Sequence, residues 1–81
     1  MKIKENLAYC RRKRKLSYRE LGELTNINYV TLYYIECGKT PNPQILVIVT
    51  LAQFFNSSLD EFVHVDLKYR NSIEDIHGGT T

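Results

Sequence analysis

Helix start and stop signals fall so close together between Ser17 and Gly38 that only helices of two or three turns fit between them. Ser17-Tyr18-Arg19-Glu20 has the form of a capping box, a serine N-cap answered by a glutamate three residues later. Leu21 and Leu24 supply the apolar face of a helix over residues 18–25. Asn26 then tolerates the left-handed backbone that ends a helix and reverses the chain. Ile27 is the apolar residue of the turn. Asn28 is a good N-cap for a helix over 29–37 whose Leu32 and Ile35 face inward, and Gly38 is its natural stop.

The same punctuation divides the rest of the chain. Ile3, Leu7 and Cys10 form an apolar stripe, which predicts a helix over 3–14. Its end carries the basic run Arg11 to Lys15, where cations complement the helix dipole. Lys39-Thr40-Pro41 reads as a loop. Asn42 and Pro43 predict the cap and first turn of a fourth helix to about Phe55, and Asn56 ends it. Ser58 opens a short fifth helix, Leu59 to Val63, with Asp60 and Glu61 in its first turn. Beyond it Val63, Val65, Leu67 and Tyr69 alternate with His64, Asp66, Lys68 and Arg70. Period two predicts a half-buried strand, and a lone strand needs a partner, which the same segment of a second copy would supply. The expected fold is a compact, all-α, five-helix domain over 1–63, with a strand-bearing extension over 64–77 and a disordered tail, Gly78-Gly79-Thr80-Thr81.

At 81 residues the chain is one small domain. It has no apolar run of about 18 residues, so no membrane span is expected. The opening MKIKENLAYC lacks the apolar centre of a secretion signal, so a cytoplasmic location is expected. There Cys10 and Cys37 stay reduced and act as packing or surface side chains, and His64 and His77 share no metal-ligand spacing with them. No carboxylate–histidine cluster or phosphate-binding glycine loop is evident, so neither enzyme chemistry, a cofactor, a metal nor a small-molecule ligand is expected. The formal charge of +2 conceals an asymmetry. Residues 1–44 carry nine Lys or Arg against four Glu, whereas 45–81 carry Lys68 and Arg70 against five acids. A basic half joined to an acidic half suggests a polyanion on one side only.

Two short helices joined by a tight turn form a unit suited to placing its second helix in the DNA major groove. Residues 7–63 resemble the lambda-repressor-like, or XRE/Cro-type, helix-turn-helix family. Leu16-Ser17, Glu20-Leu21, Leu24, Ile27-Asn28, Thr31-Leu32, Ile35-Glu36 and Gly38-Lys39 carry the likeness, with Pro43, Leu51-Ala52 and Ser58-Leu59-Asp60-Glu61-Phe62. The resemblance implies a DNA contact for Tyr18, where the family usually has glutamine. It implies base contacts for Tyr29, Val30 and Tyr34, with Asn28, Thr31 and Tyr33 beside them. Lys39 and Thr40 stand where a loop grips phosphate, and Arg11 and Glu36 match a salt bridge between helices one and three. Arg12, Arg14 and Lys15 are added as phosphate contacts from the basic run; a solvated helix end is the alternative. Tyr29, Tyr33 and Tyr34 on one helix also suit a core or an interface. The chain departs from the family at Gly22, where alanine is usual, and at Lys15 and Asn26, where glycine is common.

Helix four is apolar nearly all round, which a surface helix should not be. The expected cover is the tail or a second subunit. The anticipated two-fold interface comprises Phe54, Phe55, Leu59, Phe62, Val63, Val65, Leu67 and Tyr69, which would set two reading helices about 34 Å apart. The leading expectation is a homodimeric repressor, bacterial or phage-encoded, on an inverted-repeat operator in duplex DNA. A protein antirepressor is a further expected partner. The alternative is a protein-interaction module, such as an antitoxin, that meets its partner through helix four and the tail.

Overall fold

The computed structural model describes residues 1–71; the expected end of the extension and the tail, 72–81, lie outside the described residues. Five helices follow the punctuation: α1 (Ile3–Lys13), α2 (Tyr18–Thr25), α3 (Tyr29–Glu36), α4 (Ile45–Phe54) and α5 (Leu59–His64). Both serine capping boxes form. The Ser17 hydroxyl accepts from the Glu20 N–H at 3.0 Å and the Ser58 hydroxyl from the Glu61 N–H at 3.1 Å, each glutamate reaching back to the cap. Asn28 accepts from the Val30 N–H at 2.8 Å. Asn26 takes the left-handed conformation, φ 59°, and its N–H bonds the Gly22 carbonyl, closing α2.

The helices close on a core of Leu7, Leu21, Leu32, Ile35, Leu51 and Phe62, with Ile3, Ile48, Ala52 and Leu67 around them. α3 packs on α1 and α2, while α4 and α5 close the far side. Gly22 permits the closest approach. A Cβ there would lie 2.6 Å from the Ile27 carbonyl oxygen and 3.4 Å from the Tyr29 Cβ. The glycine that weakens α2 as a helix therefore brings α3 against it.

Several expectations need correction. Helix four begins at Ile45 with Gln44 at its cap, so Asn42 and Pro43 belong to the loop. Leu24 is 60% exposed, and the buried residues of α2 are Leu21 and Gly22. Lys15 keeps the tight turn that glycine would make by adopting φ 57° itself.

The largest correction is the strand. Residues 67–71 are helical (α6), and the described residues contain no strand. Val65 is extended, then Asp66 caps the new helix, its carboxylate accepting from the Tyr69 N–H at 3.0 Å. The buried Asn6 side chain decides this geometry. Its amide donates to the carbonyls of Phe62 and Val65, both at 2.7 Å, and its oxygen accepts from the Leu67 N–H at 3.0 Å. Lys2 N–H donates to the Val63 carbonyl. Backbone groups that a partner strand would have needed are thus satisfied within the chain. Phe62 and Leu67 are 0% and 4% exposed, so both belong to the monomer's core rather than to an interface.

Candidate nucleic-acid interface

With Leu32 and Ile35 turned inward, α3 presents Tyr29, Val30, Tyr33 and Tyr34 outward, each 38–45% exposed. Cations and rings hold these side chains in an ordered row. The Arg11 guanidinium lies 4.2 Å from the centre of the Tyr18 ring. Tyr18 meets Tyr33 edge-on at 5.5 Å, Tyr33 meets Tyr34 at 5.8 Å, and the Lys39 ammonium stands 5.3 Å from the Tyr34 ring. At the other end of the helix, the Arg19 guanidinium lies over Tyr29 at 4.7 Å and donates to its hydroxyl at 3.3 Å.

A bidentate ion pair underlies the row. Arg11 Nε and Nη2 each donate to a Glu36 carboxylate oxygen at 2.8 Å, and Nη1 donates to the Leu16 carbonyl at 2.8 Å. The Glu36 side chain is 3% exposed, so the only acidic group of α3 is withdrawn from the surface. The hydrogen bonds to Glu36 hold the Arg11 pKa above its ordinary value. Burial, and next the Glu36 charge, push the Tyr18 phenol up as well, so it stays protonated at neutral pH.

The remaining expected contacts are distributed unevenly. Arg12 is well exposed, with a guanidinium nitrogen 3.9 Å from Glu36, and lies beside the row. Asn28, Thr31 and Thr40 line a shallow cleft with Gln44 at the start of α4. Lys15 is exposed in its left-handed turn. Arg14 is not brought to this face by its contacts. Its guanidinium spans Phe54 and Phe55, 4.9 and 5.1 Å from the ring centres. Tyr18 is half-buried beneath Arg11, unlike the open side chains of α3.

Sequence reasoning missed Arg19. The signal was available: Arg19 and Gly22 are three apart on one face of α2, and the missing Cβ of Gly22 marks where Tyr29 packs. Ile45 and Leu46 at the start of α4, part of the all-round apolar helix expected to need cover but not of the anticipated two-fold interface, are left 59% and 75% exposed.

Comparison with known proteins decides the family. The helix-turn-helix family profile matches residues 7–62, spanning α2, the turn, α3 and the helices around them. The chain belongs to the helix-turn-helix family. Its relatives include an uncharacterized HTH-type transcriptional regulator of Rickettsia conorii, 35% identical over 65 residues, a match covering 76% of this chain and 60% of the relative. An uncharacterized HTH-type transcriptional regulator of Rickettsia prowazekii is 34% identical over 65 residues, covering 76% of this chain and 71% of that protein. This helix-turn-helix chain thus spans under two thirds of the first relative's length. No solved structure matches it. Among the described residues no helix is long and apolar enough to cross a membrane, and no three His, Cys, Asp or Glu side chains gather as a metal site would require.

Proposed function

We propose that this helix-turn-helix chain is a cytoplasmic, sequence-specific transcriptional regulator, a repressor, that lays α3 in the major groove of duplex DNA. One observation carries the reading: the outward face of α3 is open, uncharged and framed by Arg19, Arg12 and Lys39. A groove about 12 Å wide admits one helix, and flanking cations meet the phosphates on either side. The relatives' names as transcriptional regulators support it.

The regulator acts as a two-fold dimer on an inverted repeat. Exposed Leu59 and Tyr69, with half-buried Phe54, Phe55, Val63 and Val65, are the apolar side chains for that contact. Phe62 and Leu67 support it from beneath. A second reading, a partner-binding module, rests on the bare Ile45 and Leu46 at the opposite end of α4.

Selection of duplexes from a random pool, followed by a salt series, separates the two. A regulator enriches an inverted repeat and loses affinity steeply as salt rises. Tyr34→Ala removes the choice between operator and random duplex, whereas Lys39→Ala weakens both alike. No enrichment and salt-independent binding would leave the partner-binding module.

A further inference from the structure

The chemistry of α3 restricts which base it can read. Its eight residues, Tyr29 to Glu36, include no Arg, Lys, Gln or Asn. Those side chains make the paired hydrogen bonds that distinguish guanine and adenine in the major groove. The one charged residue, Glu36, is locked beneath Arg11. Asn28, which precedes the helix, has its amide oxygen taken up by the Val30 N–H. At position 18 an aromatic ring replaces an amide, held between Arg11 and Tyr33. The exposed side chains of α3 are three phenol rings and an isopropyl group, each more than a third exposed, while the Thr31 hydroxyl is half-buried in the cleft beside Asn28 and Thr40.

The nearby cations strengthen the restriction. Arg19 and Lys39 lie over Tyr29 and Tyr34, so each ring holds a cation against one face. Arg19 also spends a guanidinium N–H on the Tyr29 hydroxyl. This arrangement fixes the rings and places positive charge beside them, suited to phosphate, while the ring edges and Val30 remain apolar.

Only one base displays an apolar group in the major groove, thymine with its C5-methyl. We propose, resting on the reading of α3 as the DNA-facing helix, that this regulator selects its operator by packing Tyr29, Val30, Tyr33 and Tyr34 on thymine methyl groups. Specificity then comes from methyl burial rather than from paired hydrogen bonds, with Arg19 as the positioning residue that holds the Tyr29 ring. Burying one methyl changes affinity about fourfold, so a half-site with two contacted thymines loses about fifteenfold when both methyls are removed.

The test uses the full chain and the duplex it selects from a random pool. Deoxyuridine replaces thymidine one position at a time, removing the methyl and leaving every hydrogen-bonding group in place. The expected result is a loss of about fourfold at two or more thymines of each half-site and none at flanking thymines. Replacing such a T·A pair by 5-methylcytosine·G should retain more affinity than replacing it by unmethylated C·G. Tyr29→Phe and Tyr34→Phe should bind the selected duplex within about twofold of the parent, since the ring edges remain. Uniform indifference to deoxyuridine, together with loss of binding in the phenylalanine variants, would overturn the inference in favour of reading by phenol hydroxyls. A selected half-site built on guanine, with Arg19→Lys abolishing the choice, would overturn it in favour of Arg19. Failure to select any duplex would instead remove the DNA-binding reading itself, and this inference with it.

Discussion

The α2–turn–α3 unit and the 63–71 segment each carry a clear local signal, helix caps in one and a period-two alternation in the other, yet only the first folds as its signal suggests. In the first, each boundary is set by a neighbour in sequence: Ser17 with Glu20, Asn26 with Gly22, Asn28 with Val30. In the second, the fold is set by Asn6, 56 to 61 residues away, which gathers Phe62, Val65 and Leu67 around one buried amide. Local hydrogen bonds can be read from spacing. A buried polar side chain that organises a distant turn leaves no periodic trace, and the alternation of Val63, Val65, Leu67 and Tyr69 pointed to a strand.

Four substitutions probe this difference, ordered by expected effect. Glu36→Gln should destabilise the fold by about 3 kcal/mol, because it leaves the largely buried Arg11 without its charge partner. A thermal melt unchanged from the parent would remove the ion pair from the account. Asn6→Ala should lose about 2 to 3 kcal/mol, since two buried backbone groups and a part-buried one lose their partners. Hydrogen exchange should quicken at 67–71 well before α2 and α3. Equal protection at 67–71 in both proteins would mean that local signals, such as the Asp66 cap, hold that helix unaided.

Gly22→Ala sets two effects against each other. Alanine gains about 1 kcal/mol of helix propensity. Its Cβ, however, would meet the Ile27 carbonyl at 2.6 Å, a fixed backbone atom rather than a flexible side chain. Overpacking of this kind costs about 1 to 3 kcal/mol. The clash should win, giving net destabilisation of about 1 kcal/mol in denaturant unfolding; a stabilised variant would show that the turn has slack. Lys15→Gly should act in the opposite direction. A left-handed non-glycine residue costs about 1 to 2 kcal/mol, part of which the greater freedom of the unfolded glycine chain offsets. The midpoint of unfolding should rise by the equivalent of about 0.5 kcal/mol, and a fall would place a stabilising contact on the lysine side chain.

Much of the fold was legible because most of its boundaries are capped locally. α2, its capping box and the Ser58 cap could be placed to the residue, whereas the return bond of Glu61 to that cap was not anticipated. The start of α4 was misplaced because Asn42-Pro43 has the composition of a helix start, while the observed cap, Gln44, makes no side-chain cap hydrogen bond. Leu24 was misassigned because a helix of eight residues has room for little more than one apolar row, which Leu21 and the close approach at Gly22 already fill. In the candidate interface the row of tyrosines follows from helical spacing. The cations over those rings do not, since Arg19, Arg11 and Lys39 come from three different segments. Arg14 illustrates the same limit: a basic run shows where charge is concentrated, but tertiary packing sends one guanidinium across Phe54 and Phe55.

The central claim is that the tyrosine face of α3 meets DNA, and amide chemical-shift mapping during titration with the selected duplex tests it most directly. The account predicts large shifts at Tyr29, Val30, Tyr33, Tyr34 and Lys39, reversed by added salt. Shifts confined to Ile45, Leu46 and the rest of α4, with residues 29–34 unmoved, would contradict it.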